Sequence, residues 1–241
     1  MNKKIILLAL VSVFLLSAMI AASPAQTRTV GVSKGDWFKY NVNFNWTSTD
    51  PSATTPISLN ETERTMIVIM GVSGKNVSGQ LTTYYKNGTE ETVGGYVDIE
   101  TGEGENMTMF VVSADLGEND TIYTSNEWSD AKINETVVRT YPDSVRDTNH
   151  LNITATFYSE ESYQSMSLNY YWDKSTGILV ELSEVVATVT YGYLTFSSLL
   201  SRITDSNVWT IPEFPSYLIL LLFMTATLLA VIVYRSMRCF F

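Results

Sequence analysis

The 241-residue chain reads as an all-β fold, an antiparallel meander forming a sandwich, a barrel or a strongly curved sheet, with an apolar segment at each end. Three observations predict it. Apolar and polar residues alternate at period two, turn signals recur at short spacing, and helical periodicity is confined to one weak stretch.

The elements follow in chain order. Phe38, Tyr40, Val42, Phe44 and Trp46 alternate with Lys39, Asn41, Asn43 and Asn45, the pattern of a strand with one wet face. Thr47 to Pro56 is a polar loop. Met66 to Val72 is a more continuous apolar run. Val77 to Lys86 and Thr89 to Ile99 flank Asn87 and Gly88, a strong hairpin signal. Met107 to Val112 and Ile133 to Tyr141 read as further strands. Leu151, Ile153, Ala155 and Phe157 alternate again; Met166, Leu168, Tyr170 and Trp172 then lead into a turn from Asp173 to Gly177, after which Ile178 to Tyr191 returns. Leu194 to Ile203 is the one helix candidate.

The ends set the topology. Lys3 and Lys4 precede an apolar run from Ile5 to Ala22, and small residues follow, the layout of a secretory signal over residues 1–25. Cleavage after Ala25 fits best, because Ser23 and Ala25 supply the small-x-small pattern. An uncleaved anchor is the alternative, since the run exceeds the usual apolar region of about 7–15 residues. At the other end, Tyr217 to Tyr234 is free of charge and spans about 27 Å as a helix at about 1.5 Å per residue. That nearly matches a hydrocarbon core of about 30 Å. Arg235 and Arg238 follow at once and predict a cytoplasmic tail over 235–241. The reading is therefore a β-rich external domain over 26–205, a stalk over 206–215, a membrane helix over 216–234 and localisation to the cell membrane, single-pass.

Pro212, Glu213, Phe214 and Pro215, followed by an apolar helix and a short basic tail, resemble the PEF-type C-terminal sorting signals of archaeal surface proteins. The resemblance covers about the last 30 residues and implies an archaeosortase partner that cuts near the motif and transfers the protein to another anchor. A permanent single-span anchor is the alternative that the same residues allow. Gly35, Asp36, Trp37 and Tyr40, together with the run from Tyr171 to Glu181, are similar to archaeal β-rich surface domains. The later run also resembles the closing hairpin of the half-barrels of bacterial lipoprotein carriers.

Residues 26–211 hold 11 basic and 24 acidic side chains, a net of −13. Such a surface repels phosphate backbones, which excludes nucleic acid as a partner. Eight Asn-x-Ser/Thr sequons occur, at Asn45, Asn60, Asn76, Asn87, Asn106, Asn119, Asn134 and Asn152. The 14 asparagines of this region would form about 3.5 by chance, so the excess points to a glycosylated exterior.

Residue types for chemistry are sparse. His150 is the only histidine and Cys239 the only cysteine, so tetrahedral zinc of the usual ligand set and external disulfides are excluded. A lone histidine in a strand lead-in defaults to a surface role, and no catalytic residue or cofactor is expected. Asp98, Glu100, Glu103 and Glu105 crowd a glycine-bearing loop, a weak candidate for calcium, whose bland alternative is a solvated hairpin tip. Trp37, Trp46, Trp128, Trp172 and Trp209 serve as core filling or as stacking surfaces. These features predict a membrane-anchored surface protein with a structural or binding role, its partners the bilayer and envelope glycans or neighbouring surface proteins. The alternatives are a hydrophobic-ligand carrier for lipid or isoprenoid and, third, a surface hydrolase.

Overall fold

The computed structural model describes residues 27–56, 60–125, 127–142 and 144–209. Ala25, Pro212 to Pro215, the apolar run from Tyr217 to Tyr234 and Cys239 lie outside the described residues. Among the described residues no helix is long and apolar enough to cross a membrane.

Ten strands form one sheet: β1 (Trp37–Ser48), β2 (Thr62–Ser73), β3 (Asn76–Tyr85), β4 (Glu90–Asp98), β5 (Gly104–Glu105), β6 (Glu135–Tyr141), β7 (Ser144–Tyr158), β8 (Ser162–Asp173), β9 (Leu179–Thr190) and β10 (Tyr193–Ser206). Their order is β5-β4-β3-β2-β1-β10-β9-β8-β7-β6, with antiparallel pairing throughout. The sheet is not closed, because β5 and β6 occupy opposite edges. The expected all-β meander is present. The sandwich and the closed barrel are replaced by one open sheet.

Alternation decides which face is buried. Phe38, Tyr40, Ile67, Ile69, Val77, Val97, Leu151, Trp172 and Ile203 point to one side, called the inner face, and all are buried. What covers them is the 29-residue connection from β5 to β6, residues 106–134, which supplies Met107, Val111, Leu116, Ile122, Tyr123 and Ile133 to the same core. Met107 packs where a side chain on Gly79 of β3 would go, with its Cε 2.9 Å from that position. Two residues on, the Met109 carbonyl accepts the Trp172 indole N–H of β8 at 2.7 Å. In a flat sheet β3 and β8 would lie about 24 Å apart, at about 4.8 Å per strand. The sheet therefore wraps around the segment.

Three local expectations change. Met107 to Val112 is not a strand: Met109 adopts φ 67°, and only Val111 forms a bridge, to Ile178. Met107, Met109, Val111 and Val112 are buried and Thr108 and Phe110 half-buried, which suits a plug better than a half-wet strand. Leu194 to Ile203, the helix candidate, lies within β10, because β1 and β9 offer it a ladder on each side. The Asn87 and Gly88 hairpin forms with four residues, Lys86 to Thr89, between β3 and β4, of which Gly88 alone takes positive φ, 85°.

The two ends of the sheet differ. At the lower end lie both ends of the described chain, Thr29 bridged to Ala114 and Trp209 buried beside Tyr141. There the β6–β7 hairpin rolls over the outer face, so that Arg202 of β10 donates to the Thr140 carbonyl of β6 at 2.6 Å. At the upper end β1 leaves β2 after the Asn41–Arg64 pair and continues with β10 to Ser48.

A covering segment without regular structure must find partners for its backbone groups among side chains. Tyr123 does this twice, accepting from Met109 N–H and donating to the Val111 carbonyl, both at 3.0 Å. Tyr123→Phe should lower unfolding stability by about 2–6 kcal/mol, since two buried polar groups lose their partner at about 1–3 kcal/mol each. Chemical denaturation at unchanged m-value measures it.

Burial also raises the pKa of Tyr40 and Tyr123, and of Tyr141, in which Glu181 adds to the effect. The stability that these groups contribute is fully present below the unfolded value of about 10 and is lost as pH rises beyond it. The melting temperature should fall above about pH 10, and the tyrosinate absorbance of the buried tyrosines should appear only as the chain unfolds, after that of exposed ones such as Tyr158.

Candidate functional site

The covering segment stops short of the upper half of the inner face, and a cleft opens at its rim. The cleft encloses about 330 Å³ and is lined by Thr108, Met109 and Phe110, by Glu127 and Trp128, and by Tyr170, Leu179 and Leu182. The segment holds Glu127 and Trp128 in a loop closed by the Thr121–Lys132 bridge, with Ile122 N–H donating to the Ala131 carbonyl at 2.9 Å. The sheet supplies the floor. Tyr170 stacks on Trp172 at 5.4 Å and 5°, and Trp128 meets Tyr170 edge-on at 6.1 Å and 77°. Trp172 is itself fixed by its bond to Met109. The aromatic floor is thus rigid from below and open above, where Leu168, Val186 and Leu199 extend the inner face beyond the segment.

The outer face carries a second cluster near the lower end. Glu181, almost fully buried, pairs with Arg139 at 2.7 Å and with Arg202 at 3.4 Å, tying β9 to β6 and β10. Arg139 lies over Tyr171 at 4.0 Å, and Arg202 over Tyr141 at 5.2 Å. Burial alone would lower the Arg139 pKa; the Glu181 carboxylate reverses that and leaves it above the ordinary arginine value. A polar opening of about 400 Å³ at the lower end is lined by Asp115, Arg146, Asp147, Asp173 and Lys174. Its deepest carboxylate is already used: Asp173 binds Arg146 at 3.5 Å and accepts from Ser175 and Thr176.

The residues singled out in the sequence fall in separate places. His150 stacks on Tyr171 at 4.4 Å, with one ring nitrogen 3.1 Å from Glu135 and the other 3.0 Å from Asn169, so it props the outer face. The four carboxylates of the calcium candidate do not converge. Asp98 caps its own turn, accepting from Glu100 and Thr101 N–H, while Glu100, Glu103 and Glu105 are exposed, and no metal-holding group of three occurs among the described residues. Trp172 and Trp209 are core, Trp37 lies under Lys39, and Trp46 is half-buried on the upper inner face.

Of the sequon asparagines, Asn45, Asn76, Asn87, Asn106, Asn119, Asn134 and Asn152 are exposed and Asn60 is half-buried. The fully buried Asn149, which donates to the Leu116 carbonyl, is not in a sequon.

No protein-family model matches the chain, and no curated protein aligns with it significantly. The geometry therefore carries the functional reading.

Two carboxylates escaped the sequence reading: Glu127, which lines the cleft, and Glu184, the next inward position of β9 beyond the lining residue Leu182. The second left a trace: Leu182, Glu184 and Val186 share one face by alternation, so a carboxylate sits inside an apolar row.

On the outer face, Glu181→Gln should cost about 1–3 kcal/mol, because it removes a charge-assisted hydrogen bond from Arg139 and an ion pair with Arg202. Replacing Arg139 and Glu181 together with apolar residues should recover part of that loss in the same denaturation assay.

Proposed function

We propose that the protein is a membrane-anchored, N-glycosylated surface protein with a binding role, standing on the membrane by the lower end of its sheet. The observation that carries the reading is that the chain enters and leaves the sheet side by side. Asn207 accepts from Trp37 N–H at 2.8 Å and donates to the Gly35 carbonyl at 3.1 Å, so the exit is laced to the entry. A C-terminal span beginning near residue 216 then leaves the upper end facing away from the bilayer.

That upper end is built for contact. The β7–β8 and β9–β10 turns lie side by side there, joined by a hydrogen bond from the Tyr191 hydroxyl to Glu161. Phe157, Tyr158, Tyr163, Tyr191 and Tyr193 are exposed at this apex, Tyr158 at 79%. Aromatics concentrated on one exposed end suit the recognition of envelope glycans or neighbouring surface proteins.

Sequon placement supports the same reading. Asn45, Asn76 and Asn152, the three within strands, all sit on the outer face, since their sequence neighbours Phe44, Val77 and Leu151 point inward. Among the described residues the side-chain amides of Asn45 and Asn76 make no hydrogen bond, and Asn87 uses only its oxygen. Asn152 differs: its amide nitrogen donates to Asn169 at 2.9 Å and to the Leu168 carbonyl at 3.3 Å.

Glycopeptide mass spectrometry should find sugar on Asn45, Asn76 and Asn87 and low occupancy on Asn152; a protein without glycan defeats the glycoprotein reading. Protease treatment of intact cells should remove the domain, while Cys239 resists impermeant thiol reagents. Labelling of Cys239 on whole cells reverses the topology. The intact mass of the extracted protein separates a permanent span from an archaeosortase cut near Pro212 to Pro215.

A further inference from the structure

The aromatic cleft carries negative charge that the described structure leaves uncompensated. Glu127 lines the cleft itself. Glu184 lies one inward position beyond Leu182 on β9, half-buried between Leu168 of β8 and Leu199 of β10. Its proximity registers on the cleft floor: the Tyr170 pKa is raised, first by burial and then by the Glu184 charge. The ion pairs of the described residues join Lys39 to Asp205, Arg139 and Arg202 to Glu181, Arg146 to Asp173 and His150 to Glu135. None of them involves Glu127 or Glu184.

This combination selects a ligand by exclusion. An anion would face two carboxylates. A neutral apolar ligand would strip water from Glu184 and offer its charge nothing in return. A hard metal ion needs about six or more oxygen ligands, whereas Met109, Phe110, Trp128, Leu179 and Leu182 dominate the walls. A cation that is itself weakly hydrated and partly apolar meets every element at once. Aromatic faces attract such a cation through their quadrupole, carboxylates attract it through charge, and the aliphatic wall takes its carbon atoms. The volume of about 330 Å³ falls in the range of small-molecule sites.

We propose that the cleft binds an organic ammonium cation, its quaternary or alkylated nitrogen held against Trp128 and Tyr170 between Glu127 and Glu184. The apolar part of the ligand lies along Leu182 toward Leu168 and Val186. The site is independent of how the chain is anchored, so it stands or falls apart from the surface reading.

The test is isothermal calorimetry of the full chain in a nonionic detergent, with choline as the probe and 3,3-dimethylbutan-1-ol as its uncharged isostere. Choline should bind saturably and at least tenfold more tightly than the isostere. Glu184→Gln, which keeps the side chain's shape, should weaken choline at least tenfold without moving the melting temperature, and Glu127→Gln should weaken it severalfold. Trp128→Ala should abolish the signal. Equal affinity for choline and the isostere would reveal a merely apolar cleft and overturn the proposal. So would an unchanged affinity in Glu184→Gln, saturable binding of a neutral sugar without choline, or no saturable choline signal at all.

Discussion

The structure depends on one constraint: a buried segment without regular secondary structure must still pair its backbone polar groups. Residues 106–134 have to cross from one edge of an open ten-stranded sheet to the other, because β5 and β6 are consecutive in sequence and farthest apart in the sheet. Crossing over the inner face buries the apolar side of the strands, but it also buries carbonyls and amides that no ladder can satisfy. Side chains resolve this. Trp172 and Tyr123 hold Met109 and Val111, Asn149 holds the Leu116 carbonyl, and Arg28 donates to the Ile122 carbonyl at 2.9 Å. Gly177 contributes by absence: a Cβ there would lie 2.1 Å from the Val112 carbonyl oxygen, and its φ of 71° suits glycine. Where this lacework ends, the core ends, and the aromatic cleft begins.

The same constraint explains why the two halves of the sheet look unlike. The lower half is covered on both faces, inside by the segment and outside by the β6–β7 hairpin and Trp209. The upper half has only neighbouring strands, so Leu194, Phe196 and Leu200 of β10 stay exposed. Ladder hydrogen bonds between β1, β10, β9, β8 and β7 keep it formed without a core of its own. An open sheet also has edges to protect. β5 is only two residues long, and β6 puts Glu135 and Arg139 at the other edge, where strand addition would bury charge.

How much of this was legible follows from the range of the interactions. Period-two alternation depends on adjacent residues, so the strand of Phe38 to Trp46 and the hairpin around Gly88 could be read directly. The turn from Asp173 to Gly177 was readable too, because Asp173 caps it locally. Leu194 to Ile203 misled because its propensity is neutral and its strand state is imposed by β1 and β9 from outside. Met107 to Val112 misled for the opposite reason: a run this apolar signals burial without saying in which geometry. The cleft was the least legible feature. Glu127 and Glu184 are 57 positions apart, and only the docking of the segment onto β8 and β9 sets Glu127 in the cleft wall with Leu182, two residues before Glu184.

The two faces of the upper sheet are also chemically unequal, and this bears on what the exposed apolar surface is for. The outer face has the sequons of Asn45 and Asn152, whereas no strand-borne sequon points from the inner face. A sugar is bulky and hydrophilic and blocks approach wherever it projects. Carried on the outer face, it would screen Leu200 and Phe196, which flank Asn45 across the β1–β10 pair. The inner face would stay bare from Leu168 and Val186 down to the Trp128 and Tyr170 cleft. Solubility alone would favour covering both faces, and net charge alone would leave both open. Strand-borne sequons restricted to one face of the upper sheet leave the other as the surface where apolar contact remains accessible, which is also the face that the cleft adjoins.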